Sequence, residues 1–301
     1  MGIYVEIFIR GTMEEAWQKT QDPALHQRWD LRFSQIEYLP RQPGQAQKFL
    51  YTTRIGIGLR IQGEGESTGE RDHESGQRTS ALKFWSADRK SLIETGSGYW
   101  KYIPANDGLV FITWYDYHVR FGAFGYLVDR ICFRPLLGSA TAWSFDRLRL
   151  WIEKGIAPEI SRTLSAAYAV VRLILGFVWI YQGLVPKLTF QDPAELQMLR
   201  DTGIAASQVH AVTFAAGVLE IAFGIILVFL WRQCWPLYLT IAAMIIAILT
   251  VGICSPMFLT AAFNPVTLNF AVAVLALVAL LLHPYIPASR RCRRQAPRSE
   301  A

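Results

Sequence analysis

The 301-residue sequence has little of what redox or metal chemistry needs. Its four cysteines, Cys132, Cys234, Cys254 and Cys292, are scattered, with no CxxC pair and no histidine at ligand spacing. That argues against a redox dithiol and against a structural metal site, and no metal is expected. The short glycine runs Gly56-Ile57-Gly58 and Gly63-Glu64-Gly65 lack the third glycine and the following helix of a dinucleotide fingerprint. The first ten residues have no basic stretch ahead of a long apolar core, and Glu6 interrupts them. No secretory leader is expected, and the first half of the chain is expected in the cytoplasm. Charge is scarce in only one part of the chain. Residues 1–155 hold 20 of the 30 Lys and Arg and 18 of the 24 Asp and Glu, the mixed surface of a soluble domain. Residues 156–301 hold 10 basic and 6 acidic residues, and five of the basic ones (Arg290, Arg291, Arg293, Arg294 and Arg298) fall in the last twelve positions. A basic tail directly after an apolar segment is expected to meet anionic lipid head groups rather than nucleic acid.

What is there in the second half is hydrophobic length. Leu164–Val185, Val209–Leu230, Trp235–Cys254 and Val266–Leu282 are each long enough to cross about 30 Å of hydrocarbon as helices. Arg172 and Glu220 are the charges inside them. Basic residues flank the start of the first span, the second-to-third loop and the end of the fourth, so both termini are expected on the cytoplasmic side of a cell membrane. Asp192-Pro193-Ala194-Glu195 reads as a helix cap, so the first outer loop is expected to hold a short helix. Charges within a bilayer need partners, and counting residues from the span ends puts Arg172 and Glu220 at matching depth, so they are expected to pair. Two readings stay open for them: a structural bridge, or a polar centre for a ligand head group or a proton. Tyr181, Gln182, Lys187, His210, Asn264 and Asn269 form a second polar layer near the outer face.

The run Arg172-Leu-Ile-Leu-Gly176-Phe-Val-Trp179-Ile-Tyr181-Gln182-Gly183-Leu-Val-Pro186-Lys187, with Gly217-Val-Leu-Glu220 and Asn269, resembles the DoxX-like family of four-helix bacterial inner-membrane proteins. The resemblance covers about residues 164–282. It implies a link to quinones or another lipid-soluble redox partner, with Arg172, Glu220, Tyr181, Gln182, Lys187 and Asn269 as candidate ligand residues. Leu268-Asn269 and Asn264-Pro265 stand where the family often has Lys-Asn and His-Pro, so roles that need that lysine or histidine are not carried over.

The first 155 residues read as a strand (3–10), a helix capped by Thr12 with Glu15 three residues on, a second helix opened by Asp22-Pro23, six strands near 33–40, 47–57, 59–71, 77–87, 94–103 and 108–119, and a long helix over 124–154 bent or interrupted at Pro135. That order, with Val5-Glu6-Ile7, Ala16-Trp17 and the run from Asp22 through His26 and Trp29 to Asp30, resembles the START-like (SRPBCC) helix-grip superfamily. The resemblance implies a sheet around the long helix and an apolar cavity for a hydrophobic molecule. Trp85, Tyr99, Trp100, Trp114, Tyr115, Asp116 and His118 are its candidate lining, against plain core packing. Asp116 and His118 share a strand face, but no catalytic motif stands out. The acidic run Glu64, Glu66, Glu70, Asp72, Glu74 reads as a solvated strand face. Trp143–Lys154, rich in tryptophan just before the first span, is expected to close the cavity domain and to rest near the membrane interface.

The expectation is therefore an α+β helix-grip domain (1–155), an all-α four-helix transmembrane bundle (156–288) and a basic tail (289–301). Three functions are open: binding or transfer of a lipid, isoprenoid or quinone between the two; a membrane component of a quinone-linked oxidoreductase with a partner redox subunit; or a non-catalytic scaffold.

Overall fold

The computed structural model describes residues 2–41, 44–56 and 58–297; Ile57 and Arg298, named above, lie outside them. The chain divides into two compact units, Met1–Arg162 with Pro287–Ala301, and Thr163–Ile286.

In the first unit, alternation fixes the faces. Strand β1 (Ile3–Ile9) buries Ile3, Val5, Ile7 and Ile9 and turns Tyr4, Glu6 and Phe8 outward. Helix α1 (Met13–Gln21) starts where the Thr12 hydroxyl accepts the Glu15 N–H at 3.1 Å, and α2 (Pro23–Trp29) where Asp22 accepts from Ala24 at 2.8 Å. Six strands follow: β2 (Gln35–Tyr38), β3 (Lys48–Ile55), β4 (Leu59–Asp72), β5 (Arg78–Trp85), β6 (Ile93–Ala105) and β7 (Gly108–Val119). They form one antiparallel sheet in the order β1-β7-β6-β5-β4-β3-β2, so the first strand closes onto the last. After α3 (Gly122–Val128) the regular α-helical pattern is interrupted just ahead of Pro135: a π-helical turn (Asp129–Phe133) intervenes, and Pro135, which has no N–H to donate, follows in the first turn of α4 (Arg134–Lys154). Phe145 and Leu148 of α4 join the sheet core with Trp29, Trp100, Tyr102 and Phe111. This is the helix-grip arrangement: a seven-stranded sheet, two small helices after its first strand and a long helix across its inner face.

The segment Trp143–Lys154 closes the first unit, with Ser144, Phe145, Asp146, Arg147, Leu148 and Leu150 all buried. One expectation about this unit changes: the basic tail is not a separate element. Asp146 is fully buried in α4 and accepts from Arg149 at 2.7 Å, from the Arg291 guanidinium at 2.8 Å and from the Ala288 N–H at 2.7 Å. A buried carboxylate needs such donors, and the tail supplies two of them. Arg293 and Glu6 exchange two backbone hydrogen bonds of 2.9 Å, and the buried Cys292 thiol donates to the Ala142 carbonyl at 3.1 Å. The tail thus covers the sheet's β1 edge. Burial, with Asp146 nearby, pushes the Cys292 thiol pKa far above its usual range.

The second unit holds four helices long and apolar enough to cross a membrane: α5 (Pro158–Gln182) continued by a π-helical segment (Gly183–Thr189), α7 (Val209–Phe229), α8 (Trp235–Cys254) and α9 (Pro265–Leu282). The domain boundary falls within α5. The short helix α6 (Pro193–Asp201) is capped by Asp192, which accepts from Ala194 at 2.9 Å, as its sequence predicts. Small residues set the contact between the first two spans. A Cβ at Gly224 would lie 2.8 Å from the Gly176 carbonyl, and one at Gly217 would lie 2.8 Å from that of Gly183, so neither position has room for a side chain.

Candidate functional site

Inside the helix grip the aromatic core surrounds a charged cluster. Asp30, just past α2, is fully buried, and Arg32 grips it with Nε at 2.9 Å and Nη2 at 2.6 Å from its two carboxylate oxygens. His26, one turn earlier on α2, places Nε2 3.1 Å from Asp30 Oδ2. Its ring lies among those of Trp29, Phe33 and Trp100 at centroid distances of 4.9–5.2 Å. The Arg32 guanidinium lies over the Tyr115 ring, and the Tyr115 hydroxyl is 2.8 Å from Thr141 Oγ1 on α4. Burial opposes ionisation of Asp30, but Arg32 and His26 outweigh it and hold its pKa well below the usual carboxylate range. Burial lowers the pKa of His26 despite the Asp30 carboxylate, so the imidazole favours the neutral form. Burial likewise raises the pKa of the Tyr115 phenol.

The candidate cavity residues divide by strand register. Trp100 and Tyr115 face α4 and are buried. Trp85, Tyr99, Trp114, Asp116 and His118 occupy the alternate register and belong to the outer face, because alternation sends neighbours to opposite sides. Tyr99 stacks on Trp114 at 6.0 Å, Asp116 is bound by Arg134 at 2.9 Å, and His118 is exposed. The outer face of β2–β4 also carries an open polar groove of about 320 Å³ with Glu37, Arg60 and Glu64 in its lining.

In the bundle, the expected Arg172–Glu220 pair does not form. Gly176 opposes Gly224 and Gly183 opposes Gly217, so the antiparallel register sets Arg172 beside the end of α7 and Glu220 beside the continuation of α5. Arg172 is fully buried and donates to the Leu230 carbonyl at 2.8 Å and to that of Gln233 at 3.3 Å, closing the end of that helix. Glu220 meets Lys187 at 3.2 Å, and Lys187 also meets Glu195 of α6 at 3.3 Å. The π-helical turns place Lys187 there; such turns are frequent at functional sites. The Trp179 indole N–H, one of the buried side-chain groups on the same helix, has no hydrogen-bond acceptor among the described residues. Of the remaining polar layer, Tyr181 is exposed, Gln182 and Asn269 are half-buried, His210 bonds Gln191 at 2.7 Å, and Asn264 caps α9 by accepting the Thr267 N–H at 2.8 Å.

The residues that sequence reasoning left out are His26 and Asp30 as a pair, with Arg32, Glu195 and Trp179. The i,i+4 spacing of His26 and Asp30 was visible, but their burial depends on which face of α2 meets the sheet.

The sequence profile of the DoxX-like family matches residues 176–278. An uncharacterized membrane protein of Bacillus subtilis (strain 168), YndG, is 48% identical over 182 residues, which are 60% of this chain and 68% of that one. Among solved structures, the chain is similar to TTHA0849 from Thermus thermophilus (15% identical, 51% of this chain and 99% of that one, TM-score 0.39) and to a STAR-related lipid transfer protein from Xanthomonas axonopodis (12% identical, 50% and 85%, TM-score 0.40). The helix-grip fold stands on the strand order and the covering helix themselves. The protein is a multi-pass membrane protein that belongs to the DoxX-like family, its family segment lying within the four-helix unit and its first unit a helix-grip domain.

Proposed function

We propose that the helix-grip domain holds a hydrophobic small molecule with a polar head, a lipid, isoprenoid or quinone, and exchanges it with the DoxX-like bundle on the cytoplasmic side of a cell membrane. The observation that carries this reading is the His26–Asp30–Arg32 cluster inside an aromatic interior. Buried ion pairs are poor sources of stability, and replacing one with apolar residues is often neutral or better, so a charged cluster kept in such a core fits recognition of a polar head group. Lys187 with Glu220 and Glu195 supplies a second polar centre within the bundle. Four spans return the chain to its starting side, which agrees with a tail that completes the first unit. The arginine-rich flanks favour the cytoplasm for that side.

The test uses the intact protein purified in mild detergent and extracted with organic solvent, with co-purifying molecules identified by mass spectrometry. The control is the double variant Asp30→Asn/Arg32→Gln, which removes the pair without leaving one charge unbalanced. A stoichiometric lipid or quinone present in the wild type and lost in the variant supports the reading. The same ligand retained in both moves the binding site to the bundle, and no ligand in either rejects the proposal.

A second reading, a membrane component of a quinone-linked oxidoreductase with a separate redox subunit, is favoured by the Lys187–Glu220–Glu195 cluster, since a carboxylate held by a lysine inside a span suits proton or head-group exchange. Co-purification of a flavin- or nicotinamide-bearing subunit tests it.

A further inference from the structure

Ahead of α5, the most exposed large apolar side chains of the first unit fall in one short stretch. Between Phe121 and Leu136, six large hydrophobic side chains are exposed: Phe121, Phe124, Tyr126, Leu127, Ile131 and Leu136, with Phe124 at 72% and Leu136 at 68%. Phe124, Leu127 and Ile131 recur at three- and four-residue spacing, which places them along one helical face from α3 into the π-helical turn. Soluble domains rarely leave so many large apolar groups together without a partner surface. The stretch has a basic rim. Arg130 is exposed within it, Arg120 precedes it, and Arg294 of the docked tail reaches the Pro135 carbonyl at 3.2 Å. The acidic Asp129 is turned inward, where it accepts from the Tyr117 hydroxyl and from Arg134.

We infer that the Phe121–Leu136 segment is a membrane-surface docking element, its aromatic and aliphatic side chains entering the head-group region of a bilayer and its arginines meeting anionic lipid. Two further facts point to lipid as the occupant. The same chain crosses a bilayer four times, and three residues, Gly155, Ile156 and Ala157, connect α4 to the first spanning helix, so a bilayer surface lies within reach of this domain. The rim is cationic, the complement of anionic head groups. The inference does not depend on what the helix grip binds.

The chain carries its own probe position. Cys132 is exposed within the segment, Cys292 is buried, and the half-buried Cys234 and Cys254 are substituted by alanine for the experiment. The full-length protein is labelled at Cys132 with an environment-sensitive fluorophore and placed in phosphatidylcholine–phosphatidylglycerol nanodiscs with or without a lipid-borne spin-label quencher. A reference label on the exposed β4–β5 turn is introduced through the substitution Glu74→Cys, in a background with Cys132 also replaced. The expected result is blue-shifted emission at Cys132 with several-fold stronger lipid-dependent quenching than at the reference. The triple variant Phe124→Asp/Leu127→Asp/Ile131→Asp, with unchanged secondary structure by circular dichroism, should lose that quenching. Water-like emission and no quenching at Cys132 overturns the inference. Protection of the label without lipid quenching, together with a shift from dimer to monomer in the triple variant, also overturns it and assigns the face to a second copy of the chain.

Discussion

Deleting the tail after Ile286 should destabilise the helix-grip domain while leaving the bundle in place. The deletion removes the Arg291 bond to Asp146, charge-assisted and worth about 1.5 kcal/mol at the low end, the end suited to a side chain that is partly exposed. It also removes the two backbone bonds between Glu6 and Arg293, each worth about 1 kcal/mol net. Asp146 then keeps Arg149 as its charged partner but loses the Ala288 N–H, leaving an under-satisfied carboxylate that adds about 1 kcal/mol. The sum, about 4.5 kcal/mol, is a large part of the stability of a domain this size and corresponds to roughly a two-thousandfold change in the opening equilibrium. Hydrogen exchange on the full chain and on the chain ending at Ile286, both in the same detergent, reads it directly. Amides of β1 and α4 should lose about three orders of magnitude of protection, and those of α7, α8 and α9 should not change. If β1 and α4 kept their protection within about threefold, the tail would be an ornament of the domain and the reasoning about Asp146 would be refuted.

The bundle register predicts coupling energies. A double-mutant cycle of Lys187→Gln and Glu220→Gln, followed by thermal unfolding in detergent, should give a coupling of about 1–3 kcal/mol, whereas Arg172→Gln with Glu220→Gln should be additive within about 0.5 kcal/mol. A large coupling in the second cycle would restore the pairing that the structure rejects. The buried imidazole predicts pH dependence. Because the pKa of His26 is lowered in the folded state, the unfolded chain binds more protons; the stability is present above about pH 6.5 and is lost as pH falls below it, by at most about 1.4 kcal/mol per unit. His26→Gln should flatten the dependence of α2 and β6 exchange between neutral pH and the unfolding limb. Asp30, held low by Arg32, contributes stability that is lost only under more acidic conditions, below about pH 4. An unchanged slope in His26→Gln would mean that the imidazole is not desolvated.

Much of this architecture is written locally. Four spans were legible because an apolar run of that length has nowhere else to go, and the caps at Thr12, Asp22, Asp192 and Asn264 because a side-chain acceptor next to free N–H groups is a local signal. The succession of strands and helices in the helix grip was legible as alternation and turn chemistry. Which face of β6 and β7 looks inward was not. Trp100 and Tyr115 on one side and Tyr99, Trp114 and Asp116 on the other are equally apolar or polar by composition, and only the register against β1 and α4 separates them.

The sequence by itself determined the number of spans, the element order of the soluble unit and the presence of charged residues in a bilayer, because each depends on residues near one another along the chain. Tertiary structure alone decided who meets whom. Arg172 caps a helix end instead of pairing with Glu220, because small-residue contacts at Gly176, Gly183, Gly217 and Gly224 set the sliding position of two helices. Asp30 is buried, with His26 and Arg32 mostly covered beside it, because α2 folds onto the sheet. A tail that reads as a free basic segment becomes part of the first domain because Asp146, some 145 positions earlier, is buried and needs its donors. Partners separated by that much chain leave no local trace, and their pairing is settled only when the folded surfaces come together.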